Sequence, residues 1–436
     1  MKTFATKLFA RYGAAGSMFR VSVVLAPLSI LLYSAFLPPG ALFSRTPSDE
    51  YAAQTDAYLS GQLSLKQLPA PEVLSLNNPW EAGKLTGKAP RDISLYNGRY
   101  YVYYGVAPIA VFIAPVRLLS GWFPTVGLTC AVFALLGALA CISLLDDIIR
   151  RYAPSMTTLA RVSLWVATIL GNGVLCWMAE PGMNQLAQIA AWSWTCVMVR
   201  LGWHGFIARS PRWLALASVA FGLAVASKPN ALVVGLALPC FIWRGSDWRR
   251  AIAPLVLPAA CIGAGLALLN FVRFGSVIEF GNHLALTPLG DTRQYAFFRA
   301  EFLAPNLVAY LTTVPALSTV SPFLVSGWRA PLGLVTLPFV WWALALLRSK
   351  GELTRLATAV GIGSVAMTVP LLFFFAHWSR YEMEFISLWT LAAAIGVVVA
   401  CSTPDARVRS RVGRLAAAAA ALQVVAMAAV FIETIT

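Results

Sequence analysis

Charge is what this sequence has least of. Only 12% of its 436 residues are Asp, Glu, Lys or Arg, against 59% apolar, and the mean hydropathy is +0.72. A soluble domain of this size needs more charge on its water-facing surface, so that class is excluded. Alternating apolar and polar runs are missing too, which excludes a membrane β-barrel. No small-x-small cleavage site follows the apolar run 21–37, so that run reads as a retained signal-anchor rather than a removed leader. Cysteine is absent from the long polar intervals: Cys130, Cys141, Cys176, Cys196, Cys240, Cys261 and Cys401 all fall in apolar runs, so neither a loop disulfide nor a Cys metal site is expected. There is no internal repeat and no basic cluster interleaved with aromatics. The net charge of +15 is spread over short segments, which fits membrane orientation and anionic headgroups and not nucleic acid.

What remains is helix of hydrocarbon length. Apolar runs at about 21–37, 124–145, 162–178, 185–203, 213–227, 231–243, 252–271, 330–347, 357–376, 385–401 and 415–433 predict an all-α polytopic membrane protein with about 11 transmembrane helices. Basic residues recur at alternate junctions: Lys2, Lys7, Arg11 and Arg20; Arg150, Arg151 and Arg161; Arg209 and Arg212; Arg244, Arg249 and Arg250; Arg348, Lys350 and Arg355; Arg407 to Arg414. Lys and Arg stay on the cytoplasmic side of short loops, which gives an N-in, C-out topology. The alternation holds only if 106–119, broken by Pro108 and Pro115 and carrying Arg117, is a juxtamembrane or re-entrant helix. Two large loops, 38–123 and 272–329, then share the outer face of a single integral membrane domain, 1–436.

The acids concentrate in the first of these loops, where Asp49, Glu50, Asp56, Glu72, Glu81 and Asp92 lie among Arg45, Lys84, Lys88, Arg91 and Arg99. Ser48 or Asp49 suits the N-cap of a helix over 48–60, because the first-turn amides favour an oxygen acceptor there. Capping alone accounts for Asp49, but it also stands about eleven residues after the first span, at the depth where a lipid headgroup would present itself. Asp56, at i+7, shares its helical face, whereas Glu50 points elsewhere. Candidate phosphate cations are Lys228, Arg273, Arg380 and Arg99. An amine between two apolar runs costs about 2.5–3.5 kcal/mol at mid-bilayer, which marks Lys228 for a function unless Pro229 and Asn230 break the span and let it snorkel. Arg380 sits in a short turn with His377, Tyr381, Glu382 and Glu384, where it serves either a phosphate or a local ion pair. Glu279 and His283 have helical metal spacing, but Gly281 and the lack of a third ligand argue against a metal. Trp80, Trp122, Trp328, Trp378 and the 96–104 tyrosine cluster suit sugar stacking or an interfacial aromatic belt.

The order of parts resembles the GT-C class of membrane glycosyltransferases: a short basic start, one span, an Asp-Glu pair just beyond it, and a large first loop closed by a juxtamembrane helix. SDEYAAQTDAYLSGQLSL is similar to the Asp-Glu-x-x-Tyr-Ala segment of protein O-mannosyltransferases and lipid A aminoarabinose transferases, with Tyr51 directly after the pair. DISLYNGRYYVYYGVAP resembles the Gly-Lys-x-Pro-Pro region, with Arg99 where Lys is usual and Pro108 displaced. NFVRFGSVIEFGNHLALT and HWSRYEMEFISLW resemble a bacterial subgroup of the class. The resemblance implies transfer of a sugar from a polyprenyl-phosphate donor to a glycan, lipid or protein acceptor, outside a bacterial inner membrane. It places the catalytic carboxylate at Asp49; activity retained in an Asp49→Asn variant would move the base to Asp56 or Asp92. Glu50, Tyr101, Tyr104, His377 and Tyr381 are the sugar or acceptor contacts expected beside it. A single base implies inversion at the anomeric carbon. No cofactor is expected, with a divalent cation left open. The alternatives are a flippase, which would show inverted repeats and charges in paired broken helices, and a glycan polymerase, which would need paired outer-loop arginines.

Overall fold

The computed structural model describes residues 49–81, 90–243, 247–287, 290–294, 296–314 and 332–435, with short pieces at 316–317 and 324–325 and a few single positions. The expected first span, 21–37, lies outside the described residues apart from Pro27 and Leu31.

The bundle is built from α3 (Val126–Tyr152), α4 (Thr158–Leu170), α5 (Val174–Ala179), α6 (Met183–Ile207), α7 (Pro211–Ser227), α8 (Trp248–Phe274), α10 (Leu353–Leu372), α11 (Ser379–Cys401) and α12 (Ala406–Ile435). Among the described residues six helices are long and apolar enough to cross a membrane: Val126–Tyr152, Thr158–Met178, Trp248–Phe274, Leu353–Leu372, Ser379–Cys401 and Ala406–Val430. The chain is therefore a multi-pass membrane protein. Two apolar runs predicted as spans, 231–243 and 330–347, contain the 3₁₀ stretches Pro229–Phe241 and Val340–Arg348 instead of α-helix. Within Thr158–Met178 the helix breaks at Gly171-Asn172-Gly173, where Gly173 is left-handed (φ +79°) and a Cβ would strike the Met383 sulfur.

Burial separates the helices by role. α11 is buried nearly all round, packed on α10, α4, α12 and the Val340–Arg348 stretch. α8 leans mainly on α7 and leaves Val256, Leu257, Leu268, Phe271 and Val272 exposed, as a lipid-facing helix does. Polar side chains tie the interior: Trp203 donates to Asp147 (3.0 Å) and Arg200 to Ser143 (2.8 Å), joining α6 to α3. Gln423 of α12 donates to the Gly171 carbonyl at the α4 break (2.7 Å).

Over one end of the bundle lie α1 (Glu50–Leu59), the hairpin β1 (Ile93–Tyr96) and β2 (Arg99–Tyr101), and the short apolar helix α2 (Ile109–Ser120). Asn97 (φ 47°) and Gly98 (φ 67°) form the left-handed pair that a two-residue hairpin turn requires. β1 also pairs antiparallel with β3 (Ala285–Leu286), Ile93 opposite Leu286, so one small sheet stitches the two long loops together. Gln54 of α1 bridges the Leu63 carbonyl and the Val102 amide. Arg273, at the end of α8, donates to the Val102 carbonyl (2.6 Å) and stacks on Phe274 (4.7 Å) and Tyr101 (5.5 Å). Gly105 then runs so close to the end of α7 that any Cβ would collide with the Ala226 and Ser227 carbonyls.

Candidate functional site

The loop cover and the bundle meet at a cavity of about 790 Å³. Its walls are the hairpin flank (Arg91, Asp92, Tyr103, Tyr104), the junction after α7 (Ser227 to Asn230), the second loop (His283, Thr292, Phe297) and the turn from α10 into α11 (Phe374, Phe375, Trp378, Arg380, Tyr381, Glu384). Helices α6 and α11 begin at this wall and α7 and α10 end there.

Asp92 sits immediately before β1 in the left-handed region (φ 56°), a conformation that Asp tolerates better than most residues. Its amide donates to the Leu286 carbonyl (2.7 Å), which fixes it at the seam between the two loops. Burial holds its carboxyl above the ordinary carboxylate range, while the charge of Arg380, a hydrogen bond from Thr287 and the charge of Arg91 pull it back. Beside it, Tyr103 and Tyr104 stack (4.2 Å) with their hydroxyls 2.7 Å apart. Burial raises both phenols, so they stand as neutral hydrogen-bonding groups.

Opposite, the guanidinium of Arg380 lies over Trp378 (4.5 Å) and Tyr381 (4.9 Å) and donates to the Tyr381 hydroxyl (3.0 Å). Lys228 pairs with Glu384, whose other donors are Asn230 and Gln188. The turn that carries the aromatic wall is held from α9 (Leu303–Thr312): Asn306 donates to the carbonyls of Leu371, Leu372 and Phe374, and its oxygen meets His377 Nδ1 (3.0 Å). Phe375 adds a backbone bond to the Phe297 carbonyl (2.9 Å).

No protein-family model matches the sequence, and no characterised protein matches it by sequence. Shape gives a different answer. ArnT from Cupriavidus metallidurans, in a structure bound to undecaprenyl phosphate, aligns with 96% of this chain and 78% of its own, with a TM-score of 0.53 at 15% identity. AglB, the oligosaccharyltransferase of Archaeoglobus fulgidus, in complex with an inhibitory peptide and a dolichol-phosphate, aligns with 98% of this chain at a TM-score of 0.54 and 13% identity. An Archaeoglobus fulgidus oligosaccharyltransferase tethered with an acceptor peptide gives 0.52 at 12% identity over 98% of this chain. The chain has the GT-C fold. It spans 56% of the length of the archaeal oligosaccharyltransferases.

Within this GT-C fold the expected site residues separate. Asp92, Lys228, Arg380, Tyr104 and Tyr381 line the cavity. Asp49 is the N-cap of α1, accepting from the Ala52 amide (2.9 Å), and Glu50 stands in that helix's first turn. Asp56 pairs with Lys66 (2.6 Å), both side chains more than 40% exposed. Arg273 is committed to the loop cover, Arg99 is exposed at the start of β2, Tyr101 packs on Phe274 (5.3 Å), and His377 meets Asn306. Among the described residues no three His, Cys, Asp or Glu side chains converge as a metal site; Glu279 and His283 face each other at 3.7 Å. From the sequence, Arg91, Gln188 and Asn230 had no role in a site, Tyr103 stood only within the 96–104 tyrosine cluster, and Glu384 stood only as a member of a turn. The signal for Glu384 was Lys228 itself, since a charge flanked by apolar runs calls for a partner in another such run.

Proposed function

We propose that the chain is a glycosyltransferase that moves a sugar from a polyprenyl-phosphate carrier to a hydroxyl or amine of a glycan, lipid or protein acceptor on the extracytoplasmic side of the membrane. One observation carries this reading: at the loop-covered end of a GT-C fold, a carboxylate, Asp92, shares a large aromatic-lined cavity with Arg380, Lys228 and Arg91. The lipid phosphates bound to two proteins of the same fold support the carrier. The alternation of basic residues along the sequence supports the sidedness.

In this mechanism Asp92 takes the proton of the acceptor group as its oxygen or nitrogen attacks the anomeric carbon. The bond from that carbon to the phosphate oxygen breaks, and polyprenyl phosphate leaves with one more negative charge than it had in the donor. A general base positioned in this way contributes about 10²–10⁴-fold. Arg380 and Arg91 stabilise the leaving charge, which develops in a site screened from water by the aromatic wall. Direct displacement inverts the anomeric centre, as a single base and one nucleophile require. Purified protein in liposomes, offered a panel of labelled undecaprenyl-phosphate sugars, is expected to transfer or exchange the sugar of at least one of them. If no sugar moves from any carrier, the enzymatic reading fails and a carrier that only translocates the lipid takes its place; if an Asp92→Asn variant moves it as fast as wild type, Asp92 is not the base.

A further inference from the structure

Glu384 is the carboxylate at the centre of the deep wall. It is 5% exposed, yet three side chains from two segments, α6 and the junction after α7, converge on it: Lys228 Nζ and Gln188 Nε2 (2.7 Å) on Oε1, and Asn230 Nδ2 on Oε2. The Gln188 amide is shared, since the same Nε2 also donates to the Arg380 carbonyl (3.2 Å), where Trp177 Nε1 joins it (3.1 Å). Lys228 ends α7 and is 24% exposed towards the cavity, 5.7 Å from the Tyr381 ring that Arg380 also covers. One buried anion is therefore bonded directly to one cavity cation and, through a single amide, to the backbone of the other.

We infer that Glu384 is a positioning residue of the site: it holds Lys228 on the cavity wall as an ammonium and, through Gln188, sets the place of Arg380 relative to it. The alternatives to this pairing are costly. An ammonium this far from bulk water keeps its proton and its place only beside an anion, and a buried carboxylate is tolerable only when its lone pairs are filled, as three donors fill them here. The pair also cancels the charge of Lys228, which leaves Arg380 and Arg91 to carry the attraction for a lipid phosphate. This last step rests on the proposed function; the pairing itself does not.

The test is acylation of Lys228 by a small amine-reactive anhydride in the intact, purified protein, read by mass spectrometry across pH 6–9. In wild type Lys228 should react slowly. In Glu384→Gln, which keeps the shape and one acceptor, it should react about tenfold faster at neutral pH, the change in free-amine fraction that one pKa unit gives. The ratio should narrow only as pH rises into the titration of the amine itself, a profile that loosened packing alone would not produce. An unchanged rate and pH profile in Glu384→Gln would overturn the inference. Should Glu384→Gln not fold, Gln188→Ala and Asn230→Ala remove one donor each and are expected to raise Lys228 reactivity by smaller steps; no rise in either is equally decisive. Added undecaprenyl phosphate should slow the acylation in Glu384→Gln, where the ammonium has lost its partner. If it does not, the phosphate reading of the cavity is wrong while the role of Glu384 stands.

Discussion

Asp92→Asn is the perturbation that isolates the proposed chemistry from the fold. Asn fills the same volume, accepts the left-handed backbone at φ 56° as readily as Asp, and keeps an acceptor for Thr287. The β1–β3 seam rests on the backbone of this residue, whose amide donates to Leu286, so it survives the change. What disappears is the base. The expected loss is about 10²–10⁴-fold in kcat, equivalent to about 2.7–5.4 kcal/mol of barrier, with little change in expression or melting temperature. The pH profile sharpens the test. Burial raises the Asp92 carboxyl, and the reaction needs it ionised, so activity should fall as pH drops through a limb above the ordinary Asp value of about 3.9. Arg380 holds that carboxyl down, so Arg380→Gln should move the acid limb to higher pH. The assay is initial-rate sugar transfer in liposomes over pH 4–8. The control is Asp49→Asn, which keeps the α1 cap because Asn caps as well as Asp. Full activity in Asp92→Asn together with its loss in Asp49→Asn would refute the assignment and return the base to Asp49, the N-cap of α1.

Three further outcomes follow from the same geometry. Asn306→Leu leaves the carbonyls of Leu371, Leu372 and Phe374 without a side-chain donor and should cost about 1–3 kcal/mol, seen as a lower melting temperature together with weaker donor binding because the aromatic turn is released. Asp56→Asn breaks only an exposed pair with Lys66 and should change stability by less than about 1 kcal/mol and transfer not at all. Gly105→Ala drives a methyl into the Ala226 and Ser227 carbonyls, so Tyr103 and Tyr104 should shift, read as altered tyrosine fluorescence and a raised KM for the donor.

Much of this architecture was legible in the amino-acid order because hydrocarbon thickness sets helix length. Runs such as 124–145, 385–401 and 252–271 each coincide with an α-helix, with ends up to seven residues apart. Proline and glycine set the local exceptions: Pro229 after Lys228 ends α7, and Gly173 cuts the run from 158 to 178 in two. The 3₁₀ winding of Val340–Arg348 leaves no trace in composition, since apolar residues serve either helix. Asn97-Gly98 between alternating residues carried a hairpin signal of its own. Its pairing with Ala285–Leu286, nearly two hundred residues on, did not, because long-range register depends on two loops folding together. The same limit applied to the site. Asp49 is conspicuous by position along the chain, whereas Asp92 reaches the cavity only through the seam that the sheet makes, and Glu384 acquires its meaning from Lys228 across the bundle.

On the proposed function, one cavity holds the lipid phosphate between its cations and Asp92. A cryo-electron microscopy structure of the protein in nanodiscs with undecaprenyl phosphate tests it most directly. The account predicts phosphate density within hydrogen-bond reach of Arg380, with Asp92 facing it across the cavity and the prenyl chain leaving between the helices. Phosphate density at Asp49 and Arg99, or anywhere that leaves the Arg380 and Lys228 wall untouched, would contradict it.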